Sequence, residues 1–413
     1  MTLTEHQESI QKKIYDSLNK EGIAVLSGIG GTGKTVLTAE IVRHYAARHT
    51  VAVTGTTHKA VEVVSSLVPG VTTFSGTIHS FLGLKPDMSG PTMKMIRNTN
   101  SIRPCDKTSF KLLVIDEFSM MTKDVIDELY EYKNSRGYVH ILLVGDISQL
   151  ALAPKDLEAL DLDHVTHYLE ESIRADHGSD IAIYSRMASS FILNRGLEPI
   201  IPWGPEIYKY SSHDDFIHAW KETKENKVVL AHQNQVVNKY NEHIKQGYYE
   251  KEERYNVGDE VITQDLIINK HGMIPRRKRV IITDITPQED YLAVETDFGI
   301  PVRIPRNKTA LRTILEPIRA QCVRGESSWS SYYAESNKYT LVHDPYAMTV
   351  HSAQGESFDE VFIDGTDIDK SPDRMRLAYV AISRARKKVH IFLGSKREYK
   401  HFTRDVGDAI MFM

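Results

Sequence analysis

Apolar residues at Ile10, Ile14 and Leu18 recur at helical spacing behind Thr4-Glu5-His6-Gln7, whose Thr-x-x-Gln order is that of a capping box. The chain therefore opens on a capped helix. The pattern then changes to short continuous apolar runs. Ile23-Ala24-Val25-Leu26 leads straight into a glycine-rich loop, and Lys34 to His49 reads as helical. Similar runs fall at Val51 to Thr54, Leu112 to Ile115, Ile141 to Val144, Val228 to Ala231, Val361 to Ile363 and Val389 to Leu393. Runs of this kind are strands buried on both faces, and their alternation with helical stretches predicts parallel α/β sheets.

Two stretches break the rhythm. Residues 83–108, rich in Gly, Pro, Ser, Asn and Met, suit a small projecting insertion such as a hairpin. Residues 256–339 carry short alternating runs (Glu260-Val261-Ile262, Val280-Ile281-Ile282, Tyr291-Leu292-Ala293-Val294) parted by Gly, Pro and Asp, which fits a small β-barrel insertion.

The chain has 413 residues, enough for several domains with sizeable cores. Its 41% hydrophobic and 26% charged content is that of an ordinary globular protein, and no apolar run approaches the ~20 residues that span a bilayer. With no basic-then-apolar leader, a cytoplasmic location without membrane contact is expected, in a host cytoplasm if the chain is phage-encoded. Two distant cysteines, Cys105 and Cys322, make neither a disulfide framework nor a zinc site. A net charge of -4 argues against coating nucleic acid by charge alone, so any such contact is a local groove.

The candidate chemistry begins with Gly28-x4-Gly33-Lys34-Thr35, a P-loop pattern with a strand before it and a helix after it. Gly28, Gly30, Gly31, Thr32 and Gly33 would let successive backbone N–H groups close on phosphates at a helix N-terminus. Lys34 would reach the outer phosphates and the Thr35 hydroxyl would ligate Mg²⁺. A glycine-rich turn that happens to match is the bland alternative. The run Leu112 to Ile115 ends in Asp116-Glu117, placed to hold the metal and to activate water respectively; alone, such a pair is more often a solvated turn. The run Ile141 to Val144 ends in Gly145-Asp146-Ile147-Ser148-Gln149, where Gln149 is positioned to sense a γ-phosphate at the carboxyl edge of the sheet.

With these elements in order, the chain resembles the superfamily 1 helicases of the 5′-to-3′ branch, the RecD-like enzymes, with a layout similar to the phage Dda helicase. The resemblance extends to Thr349-Val350-His351-Ser352-Ala353-Gln354-Gly355-Glu356-Ser357, similar to motif V, and to Tyr379-Val380-Ala381-Ile382-Ser383-Arg384-Ala385-Arg386, similar to motif VI. It implies two RecA-like motor domains, one from 1–82 and 109–175, the other from 176–255 and 340–413. The insertion 83–108 would be a strand-separating pin, with Met95 and Ile96 as apolar candidates for its tip, and 256–339 an SH3-like barrel. It further implies that Gln7 reads adenine, although its capping-box role is a sufficient structural reading, and that Gly355 and Glu356 contact the nucleotide. Arg384 and Arg174 would approach the γ-phosphate; taken singly, each reads more readily as a surface ion-pair partner, and it is the motif context that reverses this. An always-charged planar fork at such a position stabilises charge on the transferring phosphoryl group.

The same resemblance places a nucleic-acid strand against Thr57, His58, His79, Phe81, Thr349 and His351, with Phe81 either stacking on a base or buried in the core. The run Arg276-Arg277-Lys278-Arg279 lines a strand exit or is a solvated loop. Three positions depart from the family pattern: Thr56 and Leu152 stand where proline is usual, and Ser352 where lysine is common. The expected function is ATP- and Mg²⁺-dependent translocation, 5′ to 3′, with unwinding of forked or tailed duplex DNA by a monomer. Partners of the single-strand-binding, replication or recombination type would follow. The alternatives are a translocase that strips bound proteins, an RNA helicase, and a P-loop kinase or signalling NTPase indifferent to single strands.

Overall fold

Thr4 caps the first helix as its sequence asks. In the computed structural model its side chain accepts from the Gln7 backbone N–H at 3.2 Å, and the Gln7 side chain accepts from the Thr4 backbone N–H at 3.0 Å. The resulting helix, Glu5–Glu21, buries Ile10, Ile14 and Leu18. The structure describes residues 3–91, 94–98, 102–151, 155, 160–170, 178–193, 196–249, 255–265, 267–269, 271–275, 277–306 and 308–394. Arg174, Leu152 and Arg276 lie outside them.

The chain divides into two compact units. The first takes in residues 1–85, 95–217 and 350–413. In chain order its strands begin with β1 (Ile23–Gly28), β2 (Val51–Gly55) and β3 (Phe74–Thr77); the paired β4 (Leu84–Asp87) and β5 (Lys94–Arg97) come next in the chain and divide between the two units. Next come β6 (Leu112–Asp116), β7 (His140–Gly145), β8 (Thr166–Leu169) and β9 (Ile207–Tyr210).

The principal sheet has the order β3-β2-β6-β7-β1-β8, and every pairing within it is parallel. Leu26, Val53, Val114 and Val144 pack one face; Val25, Ala52, Leu113 and Leu143 pack the other, both fully buried. That two-sided burial is why these strands carry no alternation. All their carboxyl ends lie along one edge, which receives the P-loop, Asp116-Glu117 and Gly145-Asp146.

Proceeding along the chain, the second unit, residues 86–94 and 218–349, contains β10 (Lys227–Ala231) and then β11 (Glu260–Thr263), β12 (Ile267–Asn269), β13 (Gly272–Ile274), β14 (Arg279–Pro287), β15 (Tyr291–Thr296), β16 (Val302–Pro305), β17 (Val342–His343) and β18 (Ala347–Thr349). Strand β10 pairs in parallel with β18. An antiparallel sheet of order β16-β15-β14-β11-β17 encloses its own apolar core of Val261, Val280, Ile282, Val294, Val302 and Ile304. An isolated parallel bridge links Arg303 of β16 to Tyr339, just ahead of β17. Beyond the expected strands the insertion holds two helices, Lys308–Val323 and Trp329–Ser336, the second seating Tyr333 against the carbonyl of Gly90 at 3.0 Å.

Strands β19 (Phe358–Asp364) and β20 (Ala385–Phe392) return to the first unit, where β20 lies between β19 and β9, all parallel. The fold class is therefore α/β with parallel sheets, as the apolar runs predicted. The insertion 83–108 is a hairpin followed by a short helix, Pro104–Lys107. Met95 and Ile96 are not its tip. Both lie on β5, and Met95 packs against the main core, because alternation along a strand turns every second side chain inward.

Candidate nucleotide site

The P-loop forms because Gly33 takes the left-handed backbone (φ 81°) that starts the helix Lys34–Ala46, and because Gly28 has no room for a side chain. A Cβ there would come 2.7 Å from the Leu169 carbonyl and 2.8 Å from Thr32 Oγ1. Buried Thr32 ties the loop by donating to the Ile29 carbonyl at 2.9 Å. Gly31 is also left-handed, whereas Gly30 faces open space, so its small size serves whatever approaches from outside. Lys34 Nζ donates back to the Gly28 and Ile29 carbonyls at 2.5 and 3.1 Å. Thr35 stands in the first turn of the helix.

Asp116 ends β6 among apolar strands. Burial first, and then the neighbouring charge of Glu117, push its carboxyl up to about 7, opposed by the Glu117 backbone N–H and by Lys34. Lys34 thus lies within electrostatic reach of Asp116. A site of this kind suits a divalent cation, which favours the charged form of a carboxylate that burial disfavours. Glu117 adopts a left-handed backbone (φ 54°), rare for a residue with a side chain and commonest where function holds it. Its carbonyl accepts from Thr56 Oγ1 at 3.3 Å, and the Asp116 carbonyl accepts from the Thr56 N–H at 3.3 Å. A proline at position 56 could make neither bond.

The loop 146–150 is held by three side chains from the C-terminal part of the same unit. Gln354 Nε2 donates to the Leu150 carbonyl at 2.9 Å, and Arg376 donates to the Ile147 and Gln149 carbonyls at 2.7 and 3.0 Å. The Tyr379 hydroxyl donates to Asp146 Oδ2, which also accepts from Gln149 Nε2 at 3.2 Å. Burial, then the charge and hydrogen bond of Asp146, hold the Tyr379 phenol well above its ordinary range; Arg384 acts in the opposite sense and Glu117 in the same one. Gln354 and Tyr379 fall within the motifs legible in the sequence, but Arg376 carries no such signal.

Arg384 donates to the Val380 and Glu356 carbonyls and to Ser383 Oγ, at 3.1, 3.3 and 3.0 Å. Gly355 beside it is left-handed (φ 77°), with open space where a Cβ would be. Gln7 is 2% exposed, and its Nε2 is a buried donor with no partner among the described residues, although its Oε1 is used in the cap. The capping role therefore leaves half of its amide available for a ligand acceptor, such as an adenine edge.

Of the residues expected at a nucleic-acid strand, Thr57 caps the helix His58–Leu67 and is exposed, as is His58. His79 is half-buried; burial lowers its imidazole below the ordinary range, partly offset by Asp124. Thr349 ends β18 in the second unit. Exposed His351 lines a cavity of about 770 Å³ together with Gln149, Arg376 and Ser119, whose buried Oγ has no partner among the described residues. Phe81 does not belong among these residues. It is 0% exposed and packs edge-on to Phe110 and Tyr132, at 5.2 and 5.5 Å between ring centroids, leaving no face for a base. Its spacing from Ile78 in a short helix makes it core.

Comparison with known proteins finds an AAA domain over residues 11–154 and a UvrD-like helicase C-terminal domain over residues 344–392. An uncharacterized protein, R530, of Acanthamoeba polyphaga mimivirus is 28% identical over 160 residues, covering 35% of this chain and 32% of that protein. The ATP-dependent DNA helicase PIF1 of Emericella nidulans is 30% identical over 161 residues, covering 35% of this chain and 20% of the relative. The chain thus spans about a third or less of the length of these relatives. Among solved structures, Bacteroides sp Pif1 in complex with ADP-AlF4 aligns over 100% of this chain and 96% of its own, at 16% identity and a TM-score of 0.47. The two matched domains contain all the P-loop, carboxylate and C-terminal arginine positions described above.

Proposed function

We propose that the chain is an ATP-dependent DNA helicase of superfamily 1, coupling strand-stimulated ATP hydrolysis to 5′-to-3′ translocation and duplex unwinding, with a layout like that of Dda. The observation that carries this reading is the convergence, in one unit, of a P-loop, the Asp116-Glu117 pair and the loop 146–150 with a segment bearing Arg384. In this reading Lys34 and the P-loop amides hold ATP, Thr35 and Asp116 hold Mg²⁺, Glu117 takes the proton of the attacking water and Gln149 reports on the γ-phosphate. When bound, Mg²⁺ would neutralise charge on the phosphate oxygens. The fit rests on the chain's own groups: an open Gly30, a Gln7 donor without a partner among the described residues and a buried Asp116 that favours a cation.

Single-stranded and forked DNA are the substrates in this reading, contacted through Thr57, His58, His79, Thr349 and His351 by sequence-blind phosphate bonds. The domain division expected from the sequence, with a pin at 83–108 and an SH3-like barrel at 256–339, is part of the proposal, as are Arg174 as second arginine, a monomeric unit and a cytoplasmic setting. Similarity to a protein named a DNA helicase favours DNA over RNA. The test is ATP hydrolysis with and without oligo-dT, followed by unwinding of 5′-tailed and 3′-tailed duplexes in DNA and in RNA. Strand-stimulated hydrolysis with unwinding of the 5′-tailed DNA alone is expected. Hydrolysis indifferent to strand would favour a signalling NTPase, and stimulation without unwinding would favour a protein-stripping translocase.

A further inference from the structure

Asp146 gathers three donors on its two buried carboxylate oxygens. Its Oδ1 accepts from the Ser148 backbone N–H at 2.9 Å, while Oδ2 accepts from both Gln149 Nε2, at 3.2 Å, and the Tyr379 hydroxyl. Asp146 is 2% exposed and Tyr379 0%, so water cannot stand in for a lost partner. A phenol has one proton to give, and Tyr379 gives it to Oδ2. With the Tyr379 hydroxyl in place, the Gln149 amide can leave Oδ2 without stranding that oxygen. The chain from Tyr379 runs directly on to Ser383 and Arg384, which bond to each other and back to the Val380 carbonyl.

We infer that Tyr379 is a positioning residue for Gln149: by keeping Asp146 Oδ2 satisfied, it lets the Gln149 amide exchange between Asp146 and a phosphate of the bound nucleotide. The exchange is tied to the helix that leads to Arg384, so sensor and arginine respond together. This rests on the nucleotide-hydrolase reading above. Without the hydroxyl, turning Gln149 away leaves a buried carboxylate oxygen unpaired, and the amide is retained on Asp146.

The test compares Tyr379→Phe, Gln149→Ala and the double variant in steady-state ATP hydrolysis with saturating oligo-dT, reading kcat and KM separately. Tyr379→Phe is expected to lower kcat by about tenfold or more, with KM for ATP changed by less than about threefold. The double variant is expected to match Gln149→Ala, because the hydroxyl acts only through that amide. Independent, multiplicative losses, or an unchanged kcat in Tyr379→Phe, would overturn the inference. If thermal melting shows that Tyr379→Phe fails to fold, Asp146→Asn with and without Gln149→Ala reads the same non-additivity. A wild-type protein that hydrolyses no ATP would bring down the site reading itself; a strand-stimulated wild type with an insensitive Tyr379→Phe would bring down only this step.

Discussion

Lys34 spends its charge on carbonyls of its own loop, at 2.5 and 3.1 Å. This is a holding position from which it must turn if it is to meet a phosphate. Lys34→Ala is expected to leave a folded protein whose ATP hydrolysis falls by at least ~10²-fold, as for loss of a single preorganised charge donor. Phosphate release is the measurement, and retained turnover would remove the loop from the proposed chemistry. Glu117→Gln preserves the shape of a residue held at φ 54° and abolishes its basicity, so nucleotide binding should survive while hydrolysis slows by ~10²-fold or more. Phe81 belongs to a different account. Fully buried against Phe74, Phe110 and Tyr132, its truncation to alanine should cost about 3–5 kcal/mol in a denaturant titration. The P-loop was legible because its chemistry is written in consecutive residues; the place of Phe81 was not, because exposure depends on elements remote in sequence.

At the scale of the element, the strand ends behave as linked units. Thr56, directly after β2, makes two bonds to the turn after β6 that holds Asp116 and Glu117. This connects the exposed Thr57 and His58 to the carboxylates through a single residue. Thr56→Pro should therefore lower strand stimulation of hydrolysis more than basal hydrolysis, as measured by the ratio of the two rates with and without oligo-dT. At the other end of the sheet, His140 opens β7 with Nδ1 2.8 Å from the Tyr45 hydroxyl and Nε2 3.1 Å from Lys111 Nζ. The ammonium can only donate, so Nε2 accepts and Nδ1 carries the proton. Burial, then Lys111 and His49, bring this imidazole from 6.5 down to about 4. The unfolded chain takes up a proton first on acidification, so the stabilising contribution is complete above pH 6.5 and is lost as the pH falls towards 4. Urea midpoints across that window should fall less steeply in His140→Gln than in the native protein. The buried central strands were legible from continuous apolar runs. Strand β8 was not, since Thr166-His167-Tyr168-Leu169 is only partly buried at the sheet edge, nor were the helices of the second unit, whose exposed faces dilute the apolar signal.

For the whole molecule, the informative distance is that between Lys34 and Arg384, far apart in sequence and yet both tied to one set of charges through Asp116, Glu117 and Tyr379. Motif spacing revealed both ends of that arrangement. It did not reveal the grip of Gln354 and Arg376 on the loop 146–150, because hydrogen bonds to backbone carbonyls leave no residue-type signature in the partner. Arg384 spends its guanidinium donors on Val380 and Ser383 of its own helix end and on the Glu356 carbonyl, bonds it can redirect when a phosphate is presented. Arg384→Ala should then retain nucleotide and strand binding, which depend on other groups, and lose hydrolysis by ~10³-fold or more, the lower range for an arginine that stabilises phosphoryl transfer. Unwinding should vanish with it. The discriminating measurement is fluorescence titration of a labelled oligonucleotide and a labelled nucleotide alongside the unwinding assay. Lost binding would make Arg384 a structural brace for the turn at Ser383, whereas intact binding with lost turnover would identify it as the group through which hydrolysis drives movement.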